Sequence, residues 1–209
     1  MTREEVIKEY RVREILTAAR KVVGRHGFEG TTIDRVAEEA KVAKGTIYLY
    51  FSNKDDLLHA AIVEGLRTMI AEIKRPAEFP ADPAERVPAL IRRMFSVGEA
   101  NLDFIKAFLL DSSFVRIEPA DARGEEVRQL YVTLLDFTAE VISSAARAGV
   151  IKAVDPQFCA FMLNEMVTAT FQRRLFGFTS SPPETDAEPL IDLFLHGVAC
   201  APSRNGNGQ

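Results

Sequence analysis

Residues 32–54 read TIDRVAEEAKVAKGTIYLYFSNK. Two short helical patterns lie in this stretch, with a break of three or four residues between them. Ile33, Val36, Ala37 and Ala40 recur at offsets 0, 3, 4 and 7, which is one face of a helix. Thr31 or Thr32 supplies the hydroxyl that caps its start. The pattern breaks at Lys41-Val42 and resumes from Lys44 to Phe51. Two short helices joined by a tight turn are the signature of a helix-turn-helix. Val36, Ala40, Val42 and Ile47 form the wedge that sets the crossing angle, and Ala37 is small where the helices approach. Ile47 and Phe51 point inward, which leaves Thr46, Tyr48 and Tyr50 near the outer side of the second helix. The competing reading of Tyr48 and Tyr50 is as half-buried core aromatics.

Charge favours the outward reading. Lys41 to Lys54 contains three lysines and no acid. Residues 1–60 hold eleven Lys/Arg and ten Asp/Glu, net +1, which leaves −5 on the other 149 residues of a chain whose total is −4. A mildly acidic chain does not attract nucleic acid over its whole surface, so any such contact is local. Lysines near phosphates release counterions, and affinity then falls steeply with salt.

Helices extend in both directions from this segment. Ile15, Leu16, Ala19, Val22 and Val23 give a helix over Glu4–Arg25, ended by Gly24 and Gly27. Ser52-Asn53 caps a further helix that carries Asp55 and Asp56 in its first turn and runs to about Lys74. Pro76, Pro80, Pro83 and Pro88 mark a linker or broken turn over Arg75 to Pro88, with Ala84 as an alternative start of the next helix. Beyond it the spacing predicts helices over 85–97, 101–115, 125–148, 156–176 and 188–199, and a disordered tail from Pro202. No alternating strand pattern and no internal repeat is present. The expected fold is all-α: a helix-turn-helix unit at 1–53, a connecting helix at 54–74, a helical bundle at 75–201 and the tail at 202–209.

Composition agrees. Apolar residues make up 47% of the 209, enough for a sizeable core. Cys159 and Cys200 form no disulfide framework and no C-x-x-C metal spacing. The charged start, Met1-Thr2-Arg3-Glu4-Glu5, lacks the apolar run of a signal peptide, and no stretch approaches the roughly 18 apolar residues of a membrane span. The chain is expected to be soluble and cytoplasmic, with no membrane partner.

The run from Gly27 to Leu58, GFEGTTIDRVAEEAKVAKGTIYLYFSNKDDLL, resembles the DNA-binding segment of the TetR family of bacterial repressors. The family pattern is G-[FY]-x-x-T-T, then I-A-x-x-A-G-V-S-K-G-T-[IL]-Y-x-[HY]-F, then a cap and K-[ED]-x-L. The resemblance implies roles for matching positions. Thr32 bonds a phosphate from the start of the second helix. Lys44, Gly45, Thr46, Tyr48 and Tyr50 lie on the recognition helix at the major groove or its phosphates. Lys54 reaches a phosphate from the fourth helix, and Arg35 is an additional contact. Two departures stand out. Lys41 replaces the turn glycine, and a non-glycine residue at positive φ costs about 1 kcal/mol. As a lysine in a turn it is otherwise a solvated residue. Ala43 replaces the serine before Lys44-Gly45, which removes a cap and a phosphate contact.

The last two helices are apolar nearly all round: Phe158 to Leu163 are consecutive, followed by Met166, Val167 and Phe171, and Leu190 to Leu195 behave likewise around Asp192. Such helices need burial on several sides. Homodimerisation into a four-helix bundle provides it, as the TetR resemblance also implies, and a thick monomeric core is the alternative. A two-fold dimer reads a palindrome with half-sites about one helical turn apart. The middle helices are rich in Phe and Met, suited to an adaptable apolar pocket or to a core. Phe108, Met162 and Met166 are the candidate pocket residues for a small, largely apolar effector. Arg92, Arg93, Arg173 and Arg174 suit an anionic ligand or, more simply, salt bridges. No cofactor or metal is expected: His26, His59 and His196 are scattered, Gly24, Gly27 and Gly30 follow no strand, and no G-x-S-x-G occurs. No catalytic residue is assigned. The reading is a ligand-released repressor of palindromic operator DNA; activation is open, and a helical adaptor for protein or lipid is the alternative.

Overall fold

The computed structural model describes residues 2–75, 80–110, 122–152 and 154–197. Every regular element among them is helical. Helix α1 (Arg3–Gly30) opens on a capping box, in which the Glu5 amide donates to the Thr2 hydroxyl at 3.2 Å and the Thr2 amide to the Glu5 carboxylate at 2.7 Å. The expected end near Arg25 is corrected: the chain kinks at Gly27, where φ is 69°, and adds one more turn. That turn buries Phe28, and the Thr31 hydroxyl donates to the Gly27 carbonyl at 2.7 Å.

Helix α2 (Ile33–Ala40) is capped by Thr32, whose hydroxyl accepts from the Arg35 amide at 3.3 Å. It ends at Lys41, in the left-handed region with φ 56° and ψ 43°. The Lys41 amide donates to Glu38 at 3.1 Å and the Val42 amide to Ala37 at 3.0 Å, the paired bonds of a Schellman turn. Helix α3 (Lys44–Tyr48) is shorter than the 44–51 expected. Tyr50 and Phe51 both donate to the Ile47 carbonyl at 3.0 Å, a turn that carries Phe51 into the core. Asn53, not Ser52, caps α4 (Lys54–Ile73), accepting from the Asp56 amide at 2.9 Å.

The proline reading is corrected in part. Pro83 sits in the first turn of α5 (Pro83–Ala100), where a missing N–H is harmless, behind an Asp82 cap. Pro88 lies buried within the same helix. There follow α6 (Leu102–Leu110), α7 (Ala122–Arg147), α8 (Pro156–Leu175), a 3-10 turn (Pro183–Asp186) and α9 (Ala187–His196). Gly197, with φ 75°, ends α9. Pro76, Phe114, Val115, the expected extension to Ala199 and the tail from Pro202 lie outside the described residues.

Three buried clusters organise the chain. Ile15, Val22, Val36, Ile47, Phe51 and Leu57 fasten α1–α4 at one end. Leu90, Phe95, Ile142, Leu163, Phe171 and Ile191 fill the bundle at the other. Between them Val23, Phe28, Leu58, Ile62, Phe104 and Ala107 join α1 and α4 to α6. Helix α4 contributes to all three clusters through Leu57, Leu58 and Ile73. Close helix approach depends on glycine at three places. At this junction a Cβ on Gly24 would lie 2.9 Å from Cβ of Asp103 and one on Gly65 2.8 Å from the Phe104 ring, and within the bundle one on Gly98 would run into the Phe171 ring. Polar ties cross the same junction: Arg20 donates to Asn101 at 3.3 Å, and Glu126 on α7 accepts from Arg67 at 3.4 Å and pairs with His59 at 3.1 Å. Asn164 is buried in the bundle and donates to the Ala160 carbonyl at 2.8 Å and to Thr138 at 3.4 Å, so its amide is not left unpaired.

Candidate nucleic-acid interface

Helix α3 has five residues, and one of them holds it in place. Ile47 is 0% exposed, locked among Val36, Ala37 and Leu57. Burying Ile47 turns the rest of the helix toward solvent. Lys44 and Gly45 are exposed, Thr46 is half-buried, and Tyr48 is 50% exposed. Neither Thr46 nor Tyr48 is sealed inside. Tyr50 is shared, half-buried against the N-terminal cluster, so the core reading of the two tyrosines applies in part to Tyr50. A Cβ added to Gly45 would meet nothing within 4 Å. The protein's own packing therefore does not require glycine there, and the bare backbone is available to an outside partner.

The polar groups around α3 are tied to one another. The Lys44 amine lies 2.9 Å from the Asp34 carboxylate, a hydrogen bond that pushes the amine above its usual range. Thr32 uses its hydroxyl oxygen as the α2 cap, which leaves the O–H free to donate outward. Arg35 is exposed and donates to the Gly30 carbonyl. Lys54 donates to the Glu29 carbonyl at 3.2 Å, bridging the start of α4 to the end of α1. Ala43 precedes α3 without any side-chain cap, as its identity requires. Thr32, Arg35, Lys44, Gly45, Thr46, Tyr48 and Lys54 thus all lie on or beside the α2–α3 surface.

One residue was missed from sequence. Leu49 is 78% exposed, directly after Tyr48. It falls outside the spacing of the inward pair Ile47 and Phe51, and that mismatch is the signal that marks it. Exposed leucine suits contact with a thymine methyl in the major groove.

The three candidate effector residues are not brought together. Phe108 stacks on Phe104, with ring centroids 6.5 Å apart, beside the middle cluster. Met166 packs on the bundle cluster. Met162 is on the outer face of α8 with Phe158 and Phe161; Phe158 is 62% exposed. The arginines are in ordinary ion pairs and caps. Arg92 meets Glu188 at 2.6 Å, Arg174 meets Asp186 at 2.7 Å, Arg173 lies 3.8 Å from Asp186, and Arg93 donates to the Glu72 carbonyl at 3.0 Å. Among the described residues no three His, Cys, Asp or Glu side chains are placed to hold a metal, and no helix is long and apolar enough to cross a membrane.

Comparison with known proteins points the same way. The family described as "Bacterial regulatory proteins, tetR family" matches residues 15–61. The HTH-type transcriptional regulator BetI of Paraburkholderia phymatum is 30% identical over 145 residues, covering 68% of this chain and 74% of its own. The uncharacterized HTH-type transcriptional regulator YhgD of Bacillus subtilis is 29% identical over 184 residues, covering 86% and 90%. Two solved structures share the fold. FadR from Bacillus subtilis in complex with stearoyl-CoA superposes with a TM-score of 0.73 at 19% identity, over 90% of this chain and 99% of its own. AibR in complex with isovaleryl coenzyme A and operator DNA superposes with a TM-score of 0.68 at 22% identity, over 88% and 98%.

Proposed function

The chain belongs to the TetR family of bacterial transcriptional regulators, and on that footing we propose that it works as a homodimeric repressor whose α3 helices enter successive major grooves of a palindromic operator. The observation that carries this reading is the sealed Ile47 beneath an exposed surface of Lys44, Gly45, Tyr48 and Leu49. A short helix pinned from below and bare above is shaped to enter a groove. In this reading Thr32, Tyr48 and Lys54 bind phosphates. Lys44, Thr46 and Leu49 face base edges or their flanking phosphates, Gly45 lets the backbone approach, and Arg35 adds a contact. Tyr50, half-buried against the N-terminal cluster, chiefly anchors the end of α3 and offers DNA at most its outer edge.

The dimer reading is supported by the outer face of α8 and α9. Phe158, Phe161, Met162 and Leu193 are exposed on the single chain. Fully burying such a side chain from water is worth about 1.5–3 kcal/mol, and since these four are about half-exposed the contact supplies roughly half of that for each; a second copy brings an equivalent apolar face to the two-fold contact.

The effector in this reading is a small, largely apolar molecule that enters the bundle and stabilises a spacing of the two α3 helices that DNA does not accept. FadR and AibR were solved with stearoyl-CoA and isovaleryl coenzyme A, so acyl-CoA thioesters are the first class to test; these are larger and anionic, and in this reading it is the apolar acyl chain that enters the bundle. Phe108 and Met166, which lie on the inner clusters, are the better candidates for contact, and Met162 serves the subunit face.

A gel shift with the chain's own upstream region tests the function. Retardation that Tyr48→Ala or Lys44→Ala abolishes, and that stearoyl-CoA or isovaleryl-CoA reverses, is the expected result. No specific shift at any salt concentration favours the protein- or lipid-binding adaptor.

A further inference from the structure

A lysine stands where the turn geometry favours glycine. Lys41 closes α2 at φ 56° and is the positive-φ non-glycine residue among those described. Crowding between Cβ and the carbonyl strains any L side chain there. The turn itself uses only main-chain bonds, from the amides of Lys41 and Val42 to Glu38 and Ala37, which glycine makes equally well. Nothing in the described protein uses the ammonium. Lys44 is held by Asp34, Lys54 by the Glu29 carbonyl, and Lys21 and Arg25 by Glu39. No group among the described residues pairs with Lys41, which is exposed. A strained residue with an exposed, unpartnered side chain directs attention to a partner outside the chain.

The surroundings say what kind. Lys41 lines an open groove of about 510 Å³ between the middle of α1 and the end of α2, together with Tyr10, Arg13, Glu14, Lys21 and Glu39. The two acids are already neutralised. Glu14 pairs with Arg11 at 2.9 Å, and Glu39 with Arg25 at 2.7 Å and Lys21 at 3.6 Å; the Arg25 hydrogen bond holds the Glu39 carboxyl below its usual range. Arg13 lies 3.5 Å from Glu9. Lys21 and Arg25 share the one Glu39 carboxylate, so the groove keeps a positive balance, to which Lys41 adds a cation that no described group pairs. Tyr10, 64% exposed, adds a phenolic donor to the lining. The groove is continuous with the α2–α3 turn, and Lys44 follows three residues later.

We infer that Lys41 and this groove bind a backbone phosphate of the DNA beside the half-site read by α3, a second anchoring point at the leading end of the recognition helix. The inference rests on the DNA-binding reading above. DNA is a continuous polyanion, so a strand that passes Lys44 also meets the turn in front of it, and an unneutralised lysine there gains by releasing a counterion.

The test compares the full-length wild type with Lys41→Gly, Lys41→Gln, Lys41→Arg and Tyr48→Ala. The probe is a duplex carrying the palindrome that wild type selects from random sequence, titrated between ~50 and ~200 mM salt. Lys41→Gly and Lys41→Gln are expected to bind roughly tenfold more weakly at the low-salt end, with a salt slope shallower by about 2, because each protomer then neutralises one phosphate fewer. Lys41→Arg keeps the slope. Lys41→Gly also melts about 2–4 °C higher as the turn relaxes, so its weaker binding is not unfolding. Unchanged affinity and slope in Lys41→Gly and Lys41→Gln, while Tyr48→Ala still abolishes binding, overturns the Lys41 site and leaves the DNA reading standing. Failure of wild type to select any sequence overturns both.

Discussion

Lys44 on the recognition helix is held 2.9 Å from Asp34 on the helix before it. The pair links the two arms of the helix-turn-helix across the surface that meets DNA in the proposed function. A phosphate or a guanine edge must therefore compete with Asp34 for the same ammonium, and Asp34 itself, 70% exposed, repels the approaching backbone.

Asp34→Asn frees Lys44 and removes that repulsion. Operator affinity at low salt is expected to rise several-fold, with a steeper salt slope. Anisotropy titrations across salt concentrations measure both. A fall in affinity would show that Asp34 orients Lys44 for DNA and does not compete with it.

Ala43 begins α3 without a side-chain cap. Ala43→Ser supplies a hydroxyl for the free amides of a five-residue helix. It is expected to stabilise the protein by about 1 kcal/mol, read as a higher midpoint in chemical denaturation. Operator affinity should not fall, because the new hydroxyl lies at the interface and adds a donor.

Phe161 is exposed on α8 with Phe158 and Met162. Phe161→Glu would place a charge at the centre of the proposed subunit face. Wild type is expected to sediment as a dimer at micromolar concentration and the variant as a monomer that no longer binds a palindrome. A monomeric wild type refutes the dimer.

Arg92 on α5 and Glu188 on α9 form an exposed pair that holds the Glu188 carboxyl below its usual range, through the Arg92 hydrogen bond first. Its folded pKa is therefore below the unfolded value of about 4.3. The stabilisation is complete above the unfolded value and disappears as pH falls through the folded one, because the unfolded chain takes up the proton more readily. The difference in melting temperature between wild type and Glu188→Gln should thus be present at pH 7 and vanish in the acid range. A difference that persists undiminished in acid would mean that the pair is not its origin.

The helix-turn-helix was legible because its signals are local. The Ile33, Val36, Ala37 and Ala40 face, the Thr32 cap and the break at Lys41 all act within one or two turns of chain. Less local features were read less well. The prolines suggested a linker with the next helix opening at Ala84 or Glu85, yet Pro83 itself opens α5, because a proline in the first turn of a helix forfeits no hydrogen bond; Pro88 lies within that helix, as the reading over 85–97 had it. Gly24 looked like a helix end but is where α1 crosses α6. Met162 carried the same apolar signal as Met166, and only the packing of α8 on α7 separates an outward residue from an inward one.

Residue order by itself determined the all-helical class, the helix-turn-helix and the break of the helical pattern at Lys41, since spacing and capping are settled between near neighbours; the left-handed backbone of Lys41 runs against a lysine's own preference and was shown by the structure. Tertiary packing decided which side chains meet: Lys44 with Asp34, Gly98 with the Phe171 ring, Glu126 with both His59 and Arg67. Those partners are separated by 10 to 73 residues along the chain. Their contact depends on where helices cross, a quantity that no short-range preference specifies.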